Sequence, residues 1–212
     1  MFNTTLNKKL TEYQLILGSN SPRRREILKN NLGIKEFVVI GSDFAEDLEK
    51  SDKTPLEYVQ LTSKHKAEAL LEVYKEKFSN KDAIILTCDT IVTANGRIFE
   101  KPKSKHEQRN YFEFYKKHPD LEVISAITTI KIKKDNISEY FDHSITKLKF
   151  KPNNDEVMTA YIESEEGLEV AGGFKYQELG CLLFSEISGD YYNVVGLPTS
   201  TFELLNRTVT ES

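Results

Sequence analysis

Three consecutive arginines, Arg23, Arg24 and Arg25, are the first residues in this chain whose placement suggests chemistry. They follow Gly18-Ser19-Asn20-Ser21-Pro22, where Ser21 can cap a helix and Pro22 suits its first position, because proline has no amide to leave unpaired. The first turn of a helix is the positive end of its dipole, so each cation there is disfavoured by typically ~0.3–1 kcal/mol. An anion at that end reverses the balance, held by open amides, by the Ser19 and Ser21 hydroxyls and by forked guanidiniums. Phosphate is the obvious candidate. The plainer alternative is a solvated basic turn balanced by Glu26 and other acids. The run lacks the lysine of a Walker A loop, so it does not indicate a P-loop nucleotidase.

Asp89 is the second such residue. It interrupts the apolar run Ile84-Ile85-Leu86-Thr87-Cys88 and Ile91-Val92, and burying an unpaired carboxylate costs several kcal/mol. It therefore needs a lysine, a metal ion or a bound water, unless it faces solvent at a strand end. A carboxylate held in this way can orient or deprotonate an attacking water. Lys66 lies on a helical stripe with Val59, Ser63, Leu70 and Val73. Lysines on such stripes more commonly snorkel to water, and the alternative is an ammonium aimed into a phosphate cavity. Lys101 precedes Pro102, which restricts its backbone to extended geometry and can aim its side chain. The four histidines are scattered among charges without metal-ligand spacing and take no role.

These residues need elements to hold them. Leu15-Ile16-Leu17 reads as a strand leading through the serine loop into a helix at Arg23–Leu32. Thr54-Pro55-Leu56-Glu57 is a capping box opening a helix to about Phe78. Ala83–Thr93 and Ile98-Phe99 form a hairpin about Asn95-Gly96, with Asp89 in its first strand. A helix follows over Ser104–Lys117, where Ser104 and Glu107 are again spaced as a box. Strands are expected at Leu121–Lys133 and Glu139–Phe150, separated by Lys134-Asp135-Asn136, and a helix at Asn154–Ser164. Six of the ten glycines lie at or beyond Gly167, marking a loop-rich tail with constrained backbone.

The composition bounds the partners. A chain of 212 residues with 39% hydrophobic and 29% charged residues has a globular balance and can bury a sizeable core. A net charge of -4 and a pI near 5.7 exclude broad nucleic-acid binding, which needs clustered cations. Cys88 and Cys181 form no CxxC pair, which points to a reduced, cytoplasmic setting. The polar Met1–Tyr13 segment has no signal-peptide core, and no run approaches the ~18 apolar residues of a membrane span. The expectation is one domain over 1–212 with an N-terminal tail at about 1–13.

Taken together, the segments resemble the Maf family of nucleotide pyrophosphatases from Leu15 to about Leu205. LILGSNSPRRREIL at Leu15–Leu28 is similar to the family's opening phosphate loop, and Lys66-Ala67 falls where the family has its helical lysine. Cys88-Asp89-Thr90 resembles the Ala-Asp-Thr signature, followed at the expected distance by Glu100-Lys101-Pro102. Ala171-Gly172-Gly173-Phe174 with Tyr176-Gln177-Glu178-Leu179-Gly180 resembles the glycine-rich loop. Asn193-Val194-Val195-Gly196-Leu197-Pro198 resembles the closing motif.

The resemblance implies an α/β fold of the Maf and ITPase-like type: an elongated mixed sheet flanked by helices, with two lobes about a nucleotide cleft. It implies hydrolysis of nucleoside triphosphates to monophosphate and pyrophosphate, a divalent cation (Mg2+, or alternatively Mn2+ or Co2+) and a homodimer. Among site residues it implies Ser19, Ser21, Arg23 and Arg24 for phosphates, Lys66 and Lys101 for charge neutralisation, and Asp89 as base or metal carboxylate. Gln177 is placed near the base or phosphates, and Ser125 stands where threonine is usual. Asp43 and Glu46 fall in the acidic segment that helps hold the metal. Arg23-Arg24 and Gln177 fit the branch for dTTP, UTP and modified pyrimidine nucleotides better than the 7-methyl-GTP branch. A non-catalytic nucleotide sensor or cell-division regulator is the rival from another class. One departure is Val170, where the family usually has lysine before the Ala-Gly pair. Phe174-Lys175 likewise replaces the usual Tyr-Gly, and Lys175 is the nearest substitute cation.

Overall fold

A computed structural model of the chain describes residues 4–41, 52–78, 81–134, 136–152 and 154–211. In chain order the elements are α1 (Thr5–Leu10), β1 (Gln14–Gly18), α2 (Pro22–Glu26, continued by a π-helical turn Ile27–Asn31), β2 (Val38–Ile40) and α3 (Pro55–Phe78). Then come β3 (Ala83–Ala94), β4 (Arg97–Phe99), α4 (Lys105–Lys117), β5 (Asp120–Lys133), β6 (Asn136–Phe150) and α5 (Asp155–Glu163). The chain ends with β7 (Phe184–Ser188), α6 (Tyr191–Val195) and α7 (Thr201–Thr210). The strands make one seven-stranded sheet in the order β2-β1-β3-β5-β6-β7, with β4 on β3. The mixed sheet flanked by helices expected from the sequence is present. The chain divides into two compact units, Met1–Asp89 with Ser125–His143 and Gly196–Ser212, and Thr90–Ile124 with Ser144–Val195.

In the first unit, β1 pairs in parallel with both β2 and β3, in a register that sets Gly18 beside Thr87. The Thr54 box is complete, with Glu57 Oε2 accepting from the Thr54 amide at 2.8 Å and Thr54 Oγ1 from the Glu57 amide at 3.3 Å. It starts a helix whose inner face lays Ala67, Leu70 and Tyr74 over Ile16, Ala83 and Ile85 of β1 and β3 and Ile130 and Ile132 of β5. Each buried Leu or Ile side chain among them contributes roughly 1.5–3 kcal/mol. Gly18 lets α3 lie close, because a Cβ there would come within 2.1 Å of the Leu70 Cδ1 and 2.8 Å of the Thr87 Cγ2. Helices α1 and α7 lie where local patterning predicts none. Helix α1 is started by a reciprocal Thr4–Asn7 box and buries Leu6 and Leu10, and α7 buries Thr201, Leu204, Leu205 and Thr208. Helices α1 and α7 pack together.

In the second unit, the hairpin turns as expected at Asn95 and Gly96, both left-handed with φ of 48° and 75°, and β3 and β4 pair antiparallel. The core here is aromatic: Phe99 lies edge-on to Tyr111 and Tyr115, with ring centres at 5.0 and 4.8 Å, and Phe112 packs on Phe150 and Tyr161. Only half of the expected box at α4 forms. Ser104 Oγ accepts from the Glu107 amide at 3.1 Å, but the Ser104 amide turns to the Pro102 carbonyl and Glu107 accepts from the Tyr111 hydroxyl. Gly167 packs directly beneath the glycine turn Ala171–Gly173: a Cβ on it would stand 2.0 Å from the Gly173 carbonyl oxygen, a backbone atom with little room to yield. Gly167→Ala is expected to lower stability by about 1–3 kcal/mol, read as a shifted urea midpoint; an unchanged midpoint would show that the turn is not held this tightly.

Candidate active site

Strand β1 ends at Gly18 and opens onto the serine–arginine loop. Ser21 caps α2 as its sequence suggests, its Oγ accepting from the Arg24 amide at 3.4 Å, and Pro22 takes the first helical position. Ser19, which is buried, accepts from the Ser21 amide at 3.1 Å and from Arg24 Nη1 at 3.5 Å. The serine oxygens are acceptors in all three bonds, so none of these bonds uses a hydroxyl hydrogen. Arg24 also donates Nε to the Gly196 carbonyl at 2.8 Å, which joins the loop to the closing Asn-Val-Val-Gly-Leu-Pro motif across 172 residues of sequence. Burial holds the Arg23 guanidinium below its usual value, and the adjacent charge of Arg24 adds to the effect. A partly buried guanidinium beside a second one is relieved by an anion, in keeping with the Arg23-Arg24 pair at the start of α2.

Two residues beyond the Gly18–Thr87 register point, β3 carries Asp89. The side chains of Thr87 and Asp89 share the face covered by α3. Thr87 Oγ1 donates to the Ser63 carbonyl at 2.8 Å, and Ser63 Oγ lies 3.0 Å from Thr128 Oγ1 of β5. One helical turn on, Lys66 Nζ donates to Asp89 Oδ1 at 2.6 Å, with only 8% and 9% of the two side chains exposed. Lys66 therefore does not snorkel: the ammonium that breaks the apolar stripe of α3 and the carboxylate that breaks the apolar run of β3 answer each other. Cys88, next along β3, directs Sγ at the same Gly196 carbonyl, 3.5 Å away. That oxygen thus receives both Arg24 and the residue preceding Asp89, a link that local sequence patterns do not reveal. The sequence signal for it is Gly196 itself, a residue type that tolerates the φ of 128° found there.

Ser125, fully buried, also belongs to the first unit, on β5. Lys101 and Gln177 belong to the second: Lys101 is exposed just beyond β4, and Gln177 is half-buried in the turn after the glycine pair. Val170 is buried at 7% exposure and starts the glycine turn, while the Lys175 amide donates to the Tyr161 hydroxyl at 2.9 Å. Asp43 and Glu46 lie outside the described residues. Among the described residues no three His, Cys, Asp or Glu side chains gather as a metal-binding group.

Fold and site together define an open-sheet α/β protein with a basic serine loop after β1 and a buried ion pair between Lys66 of α3 and Asp89 of the neighbouring parallel strand β3. The family model described as "Maf-like protein" matches residues 14–208, and the chain belongs to that family. It is 38% identical over 209 residues to a dTTP/UTP pyrophosphatase of Saccharomyces cerevisiae, covering 89% of this chain and 87% of that protein. It is 38% identical over 185 residues to a dTTP/UTP pyrophosphatase of Clostridium novyi, covering 87% and 92%. A solved nucleoside-triphosphatase, a dITP/XTP pyrophosphatase from Mycobacterium abscessus, overlaps 80% of this chain and 92% of its own at 10% identity and a TM-score of 0.40, a loose likeness.

Breaking a buried pair by removing one partner costs about 3–5 kcal/mol, because the other charge is left buried alone. Lys66→Met is expected to destabilise by that amount in denaturant unfolding, and Lys66→Met with Asp89→Leu to recover most of it. A single variant as stable as the parent would mean that Asp89 is not paired in the folded protein.

Proposed function

We propose that this chain hydrolyses nucleoside triphosphates, dTTP and UTP before others, to the monophosphate and pyrophosphate, and that Asp89 directs the attacking water. The observation that carries this reading is the buried Lys66–Asp89 pair beside the Ser19–Arg24 loop. The names of the yeast and clostridial relatives supply the reaction and the pyrimidine preference. A module that only bound nucleotide would gain nothing from a buried carboxylate close to anionic phosphates, which it repels. The pair favours an enzyme over a sensor.

Lys66 fixes one oxygen of Asp89 and supplies its counter-charge, so the carboxylate keeps one orientation without reorganising during the reaction. Asp89 accepts a hydrogen bond from a water and takes up its proton as the oxygen attacks the α-phosphorus in line. The bond from the α-phosphorus to the bridging oxygen breaks, and pyrophosphate leaves. Arg23, Arg24, the Ser19 and Ser21 hydroxyls and Lys101 stabilise charge on the phosphate oxygens, and such electrostatic stabilisation usually lowers the barrier more than any other single effect. We assign Gln177 to the base or phosphates and the Ser125 hydroxyl to substrate binding.

A divalent cation fits the donor chemistry. Magnesium is commonly held by one or two carboxylates and completes its shell with substrate phosphates and water, and Asp89 provides one such carboxylate. Asp89 would hold the ion, with Glu46 as the second donor. When bound, the ion would neutralise and polarise phosphate oxygens. A cytoplasmic setting and a homodimer belong to the same proposal; the reduced Cys88 and Cys181 thiols support the first.

Pyrophosphate release from UTP, dTTP, CTP, GTP and 7-methyl-GTP with magnesium tests the reading. UTP and dTTP should lead, and Asp89→Asn should lower turnover by about 10²–10⁴-fold while still binding nucleotide. Near-normal turnover by Asp89→Asn would sink the assigned role, and binding without any pyrophosphate release would favour a sensor.

A further inference from the structure

The inner face of α4 is aromatic at Tyr111, Phe112 and Tyr115 but carries Gln108 one turn earlier, fully buried. Gln108 Nε2 donates to the Gly173 carbonyl at 2.7 Å, while its Oε1 is buried and finds no partner among the described residues. Desolvating an unpaired carbonyl oxygen costs about as much as one neutral hydrogen bond returns. Stability alone therefore does not account for a glutamine here. Further along the same helix face, the buried Tyr115 hydroxyl donates to the Gly172 carbonyl at 3.1 Å. These two α4 side chains hold consecutive carbonyls of two left-handed glycines, φ 74° and 78°, which are otherwise among the freest backbone positions in a chain.

The glycine pair passes this restraint on. The Gly172 amide donates to the Glu100 carbonyl at 3.2 Å, the Gly173 amide to the Val170 carbonyl at 3.1 Å, and the Lys103 amide to the Leu168 carbonyl at 3.3 Å. Hydrogen bonds thus run from α4 through Gly172 and Gly173 to Glu100, the residue bonded to Lys101. The 100–103 segment is held on both sides of Lys101 and closes with Lys103 in a left-handed conformation, φ 58°.

We infer that Gln108 and Tyr115 are positioning residues for Lys101: they lock the Gly172-Gly173 turn, and the turn fixes the backbone from which Lys101 reaches phosphate. The inference rests on the role proposed above for Lys101. A loosened turn leaves the lysine present but misplaced, which lowers rate more than it lowers fold stability.

The test measures kcat and KM for pyrophosphate release from UTP, together with the melting temperature, in Gln108→Met, Tyr115→Phe, Lys101→Ala and the two double variants with Lys101→Ala. Gln108→Met keeps the volume and removes both the donor and the unpaired oxygen. Each α4 variant is expected to lose about tenfold in kcat/KM, since small misplacements of a charge-stabilising group are costly, with a melting temperature close to the parent's. In the Lys101→Ala background the further loss should vanish. A full tenfold loss that persists without Lys101, or a lowered melting temperature with kcat and KM unchanged, overturns the inference. Wild-type turnover by Lys101→Ala overturns it together with the role of Lys101. Absence of pyrophosphate release from the parent protein marks the failure of the activity reading itself.

Discussion

The ion pair between Lys66 and Asp89 is the constraint around which the first unit is built. Two charges removed from water are expensive, and their attraction repays that cost only when the geometry is close and fixed. Here the geometry comes from the fold: parallel pairing of β1 with β3 sets the depth of Asp89, and α3 lies near enough over Gly18 for a lysine to reach it. The Ser63, Thr87 and Thr128 hydroxyls satisfy one another one turn away, so the polar line from β5 to α3 is paired where it enters the core. A fold seeking only stability would do as well with apolar side chains at both positions. The role proposed for Asp89, a carboxylate held in one orientation, accounts for charged ones there.

The serine–arginine loop follows the same logic with the opposite charge. Its guanidiniums crowd one another at the positive end of a helix, and Arg24 gives part of its donor set to Gly196. That arrangement suits the phosphate-binding role proposed for the loop.

Much of this was legible in the sequence because the signals are local. Thr54-Pro55-x-Glu57 located the start of a helix whose pattern runs to Phe78, and Asn95-Gly96 located the hairpin that carries Asp89. Ser21-Pro22 set the start of α2. Helix α7 escaped because threonines occupy its buried face, and threonine favours strands in isolation. In the fold Thr208 Oγ1 donates to the Leu204 carbonyl at 2.8 Å and meets Thr129 Oγ1 at 2.7 Å. Strand β2 is three residues on the sheet edge, too short for a pattern. The fate of Lys66 could not be read locally, since its partner lies 23 residues away on another element and only the register of α3 over β3 brings them together. The Arg24–Gly196 bond and the bracing of the glycine turn by α4 are long-range in the same way.

Attack of water on the α-phosphorus is the step to which Asp89, Lys66 and the arginine loop are all assigned. Turnover of UTP in water labelled with oxygen-18, followed by mass spectrometry of both products, locates the new bond. Attack at that atom puts one labelled oxygen in UMP and none in pyrophosphate. Label in pyrophosphate instead, or products UDP and orthophosphate, would contradict it.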